Sequence, residues 1–362
     1  MDEFAIDGHK LMFHPERVAA WLAAGDDWEK QKKVYPVYVE VSPIGACNHR
    51  CTFCALDYMG YQPRRLDPSV MADRLAEMGE KGVRSVMFAG EGEPLLHTGI
   101  DHMVEAAHRA GIRTAFTTNG VLLGERFVEE SLAKVSWIKA SCNAGAPATH
   151  AAIHGCSEGD FPKVVANLRR AVAARDDHGW GARIGVQLLL LPENAAEVET
   201  LARICRDEIG ADYLVVKPYS QHKKSETRRY ADIDYTSYLD LAERLKGMET
   251  ERFAVVFRAR TMLSYHRDKA YATCFSTPFF WAYVSSAGDL VSCSAFLGDA
   301  RFSLGNIMSH GFAEVWEGPG RRRSLDMMRG LDIAECRSNC RMDKVNSYLW
   351  RLRHPGAHDD FI

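Results

Sequence analysis

The chain has 362 residues, 46% of them hydrophobic and 26% charged, with a formal net charge of −3. That length buries a large core and accommodates more than one domain. The balance is that of an ordinary globular protein, and the near-neutral charge excludes a global field for nucleic acid or an anionic membrane surface. No stretch approaches the roughly 18 consecutive apolar residues of a membrane span. Residues 1–33 lack the apolar run of a secretory signal, so the expected location is the cytoplasm. In that reducing setting, ten cysteines point to metal or catalysis more than to disulfides.

The first 33 residues read as one short helix, Pro15–Ala24, and a linker. From residue 34 onward, short β-branched runs alternate with longer amphipathic ones. Strands are predicted over 34–41, 85–89, 114–118, 137–142, 184–191 and 213–217. Helices are predicted over 68–81, 99–110, 125–134, 162–174 and 196–209. Asp67 and Pro68 supply an N-cap and a first-turn proline, and Gly82 and Gly111 stand where helices should end. Six strands separated by helices imply parallel βαβ units, and a partial (β/α)6 barrel of the TIM type is favoured over a doubly wound sheet.

Barrels of this class put their sites in the loops that follow the strands. Directly after the first strand comes Cys47-Asn48-His49-Arg50-Cys51-Thr52-Phe53-Cys54. Its C-x3-C-x2-C spacing offers three thiolates from one tight loop, and three ligands on a four-iron cluster leave one iron open to a small molecule. The second strand runs into Gly90-Glu91-Gly92-Glu93-Pro94 and the third into Thr118-Asn119-Gly120. Ser141 and Asn143 share one side of the fourth strand, with Cys142 opposite. Gln187 lies on the fifth strand. The sixth ends in Lys217-Pro218-Tyr219-Ser220-Gln221-His222, and Lys217, Lys223, Lys224, Arg228 and Arg229 form a basic segment that either grips a phosphate or carboxylate of the substrate or is simply solvated.

A helix over 235–246 and a strand over 253–257 close this region. Cys274, Cys293, Cys336 and Cys340 then appear among aromatic residues and glycines. The stretch 280–293 reads as a hairpin turning at Ala287-Gly288-Asp289, which brings Cys293 back towards Cys274. Cys336 and Cys340 have the spacing of one helical turn. Four thiolates so gathered saturate a cluster or bind structural zinc. Of the other cysteines, Cys142 lies opposite Ser141 and Asn143, Cys205 reads as core, and Cys156 as a structural thiol or a hydrogen-atom donor. Arg321–Arg323 reads as a solvated face. The predicted organisation is a helical lead-in over 1–33, a barrel over 34–257 and a small α+β domain over 258–362.

Cys47, Cys51 and Cys54, with Phe53 before the last cysteine, resemble the signature of radical S-adenosylmethionine (SAM) enzymes. Gly90–Pro94 resembles the family's Gly-Gly-Glu-Pro motif, with Glu91 where a glycine is usual. The later four cysteines resemble the twitch domain, the shortened form of the family's SPASM extension, which holds one auxiliary cluster. The resemblance implies SAM and two 4Fe–4S clusters as cofactors, the first on Cys47, Cys51 and Cys54 and the second on Cys274, Cys293, Cys336 and Cys340. It also implies cleavage of SAM to a 5′-deoxyadenosyl radical that takes hydrogen from an unactivated carbon. Phe53 would lie near the adenine, the segment Gly90, Glu91, Gly92 and Glu93 near the methionine amino group, and Ser141, Asn143 and Gln187 near the ribose and carboxylate.

From this follows an expected oxidoreductase, a dehydrogenase or epimerase, acting on a small polar and anionic metabolite such as a sugar, aminocyclitol or nucleotide sugar. Flavodoxin or ferredoxin is the expected electron donor, with neither nucleic acid nor membrane as partner. Glu91, Tyr219 and His222 are candidates for proton removal. A peptide-modifying maturase is the alternative, disfavoured by the 33 residues before the first strand and by four auxiliary cysteines rather than seven. A non-catalytic electron carrier would saturate its cluster with four thiolates, which the three-cysteine loop does not.

Overall fold

A computed structural model of the chain describes residues 9–263, 269–337 and 340–361. Ten strands form one continuous sheet: β1 Tyr38–Val41, β2 Ser85–Phe88, β3 Arg113–Thr118, β4 Val135–Ser141, β5 Arg183–Leu190, β6 Tyr213–Pro218, β7 Ala254–Phe257, β8 Trp281–Val284, β9 Asp289–Val291 and β10 Ser303–Asn306. Their order is β10-β9-β8-β1-β2-β3-β4-β5-β6-β7. Every pair from β1 to β7 is parallel. The six expected strands are β1 to β6, and the fold is the open, partial (β/α) barrel.

Strand alternation separates two faces. Val39, Val41, Val86, Phe88, Phe116, Ile138, Ala140, Ile184, Val186, Leu214 and Val216 point outward into one core with the covering helices. The other face looks into the barrel and carries Tyr38, Glu40, Met87, Thr117, Trp137, Lys139, Ser141, Gln187, Leu189 and Lys217. Tyr38, Thr117, Trp137, Ser141, Leu189 and Lys217 keep solvent-accessible surface, whereas the outward residues are sealed. Barrels of this type usually fill their interior with branched apolar side chains. This interior is instead polar and water-accessible.

The helices follow their sequence signals closely. Asp67 accepts from the N–H groups of Ser69 and Val70 and caps Pro68–Glu80, and Ile100–Arg109 and Asp160–His178 cover the 99–110 and 162–174 regions. The expected 196–209 helix is α-helical over Val198–Arg203 and continues with the wider π spacing over Ile204–Ile209.

The C-terminal part continues the sheet. β8 pairs in parallel with β1, Tyr38 opposite Trp281 and Val41 opposite Val284. The hairpin forms as expected, with β8 antiparallel to β9 and Gly288 turning at a φ of +89°. The lead-in helix Pro15–Ala24 docks on this part too. Trp21, fully buried, packs against Phe275, Phe279 and Phe280, so truncating it would cost roughly 3–5 kcal/mol. Arg321 departs from the solvated face expected of it. It is 1% exposed, donates to the carbonyls of Pro278, Gln31, Lys32 and Val34, and lies 3.9 Å from the Trp316 ring centre. Its neighbours Arg322 and Arg323 are exposed.

Candidate active site

The loop after β1 carries Cys47, Cys51 and Cys54 and is held from three sides. Gly45 N–H donates to Arg64 O. Arg50 and Thr52 N–H donate to His154 O and Ile153 O, and Glu93 N–H donates to Ala46 O. All three cysteines are free. Burial raises each thiol, Cys47 to about 11, and at Cys47 and Cys51 the neighbouring cysteines add to it. Thiols so desolvated favour a cationic centre that takes them as thiolates.

The Gly90–Pro94 run packs directly on this loop. Gly90 adopts a φ of +117°, and a Cβ there would sit 2.5 Å from Ser42 Cβ and from Tyr283 Oη. A Cβ on Gly92 would sit 2.1 Å from Ala46 O. Glu93 is buried. It accepts from Thr118 Oγ1 at 2.6 Å, Asn119 N at 2.7 Å and Leu95 N at 3.0 Å. Thr118-Asn119-Gly120 is therefore a brace for Glu93. Glu91 accepts from Ser286 N at 3.0 Å and Ser286 Oγ at 2.6 Å, which ties the barrel to the β8–β9 turn.

The helix Pro147–His154 was not anticipated from the sequence, although Pro147 at its first position and Gly155 in the left-handed conformation just past its end are its ordinary start and stop signals. It supplies the innermost support of the cysteine loop. His154 Nε2 accepts from Asn143 N at 3.2 Å, so this neutral, buried ring carries its proton on Nδ1, which lies 3.5 Å from Cys51 Sγ. Asn143 Oδ1 accepts from Leu189 N at 2.6 Å, and its Nδ2 lies 3.2 Å from the same His154 nitrogen. Ser141 and Gln187 stand opposite each other on β4 and β5, facing the barrel interior. Phe53 meets His154 edge-on at 5.4 Å and packs on the cluster of Tyr219, Tyr230, Leu191 and Ile153.

Cys274, Cys293, Cys336 and Cys340 converge at the same mouth of the barrel. Cys274, Cys293 and Cys336 pack against an apolar cluster with Trp281, Tyr283, Phe296 and Phe302, against which Leu56 and Met59 of the first cysteine loop also pack. Burial pushes up the thiols of Cys293, Cys336 and Cys340, Cys336 to about 12, and the other cysteines of the set push them further. Cys274 Sγ accepts from Asn346 Nδ2 at 3.4 Å. Cys336 has extended backbone after the short turn Ile333–Glu335, so it does not begin the helical turn expected to join it to Cys340. Residues 338 and 339 lie outside the described residues. Among the described residues, no three of these four sulfurs lie within 4.8 Å of one another.

A segment after β6 is pinned to the cysteine loop and to the C-terminal part. Asp57 of the cysteine loop accepts from Ser225 Oγ, Glu226 N and Thr227 N, each at 3.0 Å. Lys223 and Lys224 donate to Ala334 O and Leu297 O of the C-terminal part, so these two lysines bind protein carbonyls. Tyr219 is buried, with its hydroxyl 3.4 Å from Gln221 Oε1. His222 stacks on Tyr58 at 5.2 Å, and burial followed by the Arg337 charge lowers it to about 4. Its Nδ1 accepts from Lys224 N.

Residues 41–205 match the radical SAM superfamily, and residues 274–341 match the SPASM iron–sulfur cluster-binding domain. Similar proteins include the GTP 3′,8-cyclase of Chlorobaculum tepidum, 42% identical over 88 residues, covering 24% of this chain and 26% of that protein. The S-adenosylmethionine-dependent nucleotide dehydratase of Lacinutrix mariniflava is 25% identical over 201 residues, covering 54% and 42%. These matches span about a quarter and two fifths of the relatives' own lengths. In fold, the chain resembles Streptococcus suis SuiB bound to precursor peptide SuiA, with a TM-score of 0.63 and 19% identity over 85% of this chain and 69% of that one. It also resembles anSMEcpe with bound AdoMet, with a TM-score of 0.59 and 17% identity over 86% and 89%.

Proposed function

The chain belongs to the radical SAM superfamily and carries a SPASM-type iron–sulfur domain, and on that premise we propose that it is an oxidoreductase acting on a carbon of a small, polar, anionic metabolite. Cys47, Cys51 and Cys54 would hold the first 4Fe–4S cluster, and Cys274, Cys293, Cys336 and Cys340 the auxiliary one. When bound, SAM and the first cluster supply a primary carbon radical that takes a hydrogen atom from the substrate. The observation that carries the reading is the placement of both cysteine sets at one mouth of a water-accessible barrel, joined by β8 and β1. An auxiliary cluster there is placed to accept an electron from a substrate held in the barrel.

The chain's own residues orient and shield that chemistry. Asp57 ties the segment 225–227 to the cysteine loop and fixes the rim of the mouth. Phe53 and the 90–93 loop border the place that the SAM adenine and methionine would take. Ser141 and Gln187 offer polar contacts from the interior wall. Exposed Arg50, Arg64 and Arg65 around the cysteine loop suit an acidic electron carrier such as flavodoxin or ferredoxin.

The names of the curated relatives, a GTP cyclase and a nucleotide dehydratase, support a small phosphorylated molecule over a peptide. The test is anaerobic reconstitution followed by reduction with SAM and deuterated candidates. About eight irons per chain and deuterium in 5′-deoxyadenosine from a metabolite are expected. Transfer from a peptide and not from any metabolite would overturn the substrate reading. Absence of 5′-deoxyadenosine under every condition would overturn the enzyme reading.

A further inference from the structure

Four cations converge on the barrel interior with one carboxylate among them. Lys139 on β4 and Lys217 on β6 face inward, since their outward neighbours Ile138, Ala140 and Val216 lie in the outer core. Arg337 and Arg341 each follow an auxiliary cysteine and reach in from the C-terminal side. Arg337 Nη2 donates to Ser220 O at 3.2 Å, and its Nε is buried with no partner among the described residues. Arg341 pairs with Glu40 of β1 and lies 5.6 Å from the Trp281 ring centre.

These groups are close enough to act on one another. Burial, then Arg258 and Arg341, lower the Lys139 ammonium to about 7. Burial, then Lys139, Arg258, Arg337 and Arg341, lower Lys217. Among the described residues, Glu40 is the one carboxylate that pairs with any of the four. Desolvated like charges are costly unless an anion compensates them. A structural salt-bridge network would match acids to bases. This set gathers Lys139, Lys217, Arg337 and Arg341 on the barrel wall, with Arg258 acting on both lysines, against the single carboxylate of Glu40.

We propose that the barrel interior binds the polyphosphate group of a small molecule, a nucleoside di- or triphosphate in class, through Lys139, Lys217, Arg337 and Arg341. The number of basic groups selects the class. A single carboxylate would engage one or two of them, whereas a di- or triphosphate ester offers oxygens to all four and favours the protonated lysines. Arg forks and Lys ammonium groups are the usual partners of phosphate oxygens. The arginines sit beside Cys336 and Cys340, so the same contacts would hold the substrate against the auxiliary cysteines. The setting rests on the radical SAM reading, but the anion site can be tested apart from it.

Protein reconstituted anaerobically and loaded with SAM is titrated with inorganic tripolyphosphate, with nucleoside triphosphates and with an uncharged nucleoside. Tripolyphosphate and at least one nucleotide should bind, more weakly as salt rises, and the nucleoside alone should not. Lys139→Gln and Lys217→Gln should each weaken binding roughly tenfold or more, and Lys217→Arg should retain most of it. Both glutamine variants remove a buried charge, so unchanged SAM binding and an unlowered melting temperature are expected and exclude misfolding. No anion binding by the unaltered protein, or binding that ignores both lysines, overturns the proposal, as does a basic-residue-free peptide that binds and is displaced by neither anion nor nucleotide. If 5′-deoxyadenosine still forms in that case, only the anion site has failed. If anions bind as expected and 5′-deoxyadenosine never forms, the site stands and the enzyme reading fails.

Discussion

His154 holds its Nδ1 proton 3.5 Å from Cys51 Sγ because Asn143 N–H occupies the other ring nitrogen. Hydrogen bonds to cluster sulfurs stabilise the more negative, reduced state and so raise the potential. Replacing the ring in His154→Leu should make the first cluster harder to reduce by roughly 60 mV, the equivalent of one charge-assisted hydrogen bond for a one-electron couple. A redox titration followed by electron paramagnetic resonance measures it. An unchanged potential would show that the contact only packs.

The two cysteine sets should separate in iron content and in chemistry. Replacing Cys47, Cys51 and Cys54 together by alanine should leave about four irons per chain and abolish 5′-deoxyadenosine. Replacing Cys336 and Cys340 should also leave about four, yet keep 5′-deoxyadenosine while stopping substrate oxidation. Zinc in the second site of the unaltered protein, found by metal analysis, would contradict the cluster assignment.

Gly92→Ala tests the seating of the cysteine loop. The added methyl would lie 2.1 Å from Ala46 O and 2.6 Å from Ile44 O, both backbone atoms that cannot swing away. The loop must shift, so the variant should fold but lose most of its first cluster. Iron content near the full value of the unaltered protein would refute this.

Lys139 gives a pH signature. The fold holds its ammonium at about 7, well below the ordinary lysine value. Between those two values the unfolded chain keeps a proton that the folded chain releases, so this group's contribution to stability rises with pH across that window. A bound polyanion favours the protonated form instead. Tripolyphosphate affinity should therefore rise as pH falls through 7, against Arg258, Arg341, Lys217 and Lys10, with Glu40 assisting. Comparing Lys139→Gln with the unaltered protein cancels the ligand's own titration, and identical pH profiles would count against the assignment.

Asp57 provides a second titration. Burial raises its carboxyl, but N–H groups of Thr227 and Glu226 and the Ser225 hydroxyl outweigh this and leave it below the usual range. The anchored segment is thus fully held above the ordinary carboxylate value and released only as pH falls through the lower value that the fold gives Asp57. Asp57→Asn should speed hydrogen exchange in residues 225–227 at neutral pH.

The six parallel strands and the β8–β9 hairpin were legible because each has a local signal: β-branched runs, a glycine at a turn. The roles of Glu91 and Asn143 were not, since their partners Ser286 and His154 lie on other elements. Arg321 reads as a surface residue in a run of three arginines, and only its tertiary cage of carbonyls shows otherwise. Lys217 has a local signal in the basic run after β6, but its grouping with Lys139, Arg337 and Arg341 has none. Lys139 and Arg341 become neighbours only once the barrel closes on the C-terminal part. Helix Pro147–His154 carries readable start and stop signals in its proline and the glycine that follows it.

The parallel pairing of β8 with β1 also bears on how the chain is made. The first strand emerges early from the ribosome, and the strand that covers its edge emerges only after residue 281. Until then β1 presents unpaired N–H and C=O groups, a template for association between nascent chains. Contacts that close so long a loop form late and slowly. Release of a chain truncated before β8 should therefore yield aggregates rather than a free-standing barrel, and slower translation would lengthen the period in which chaperones must guard that edge.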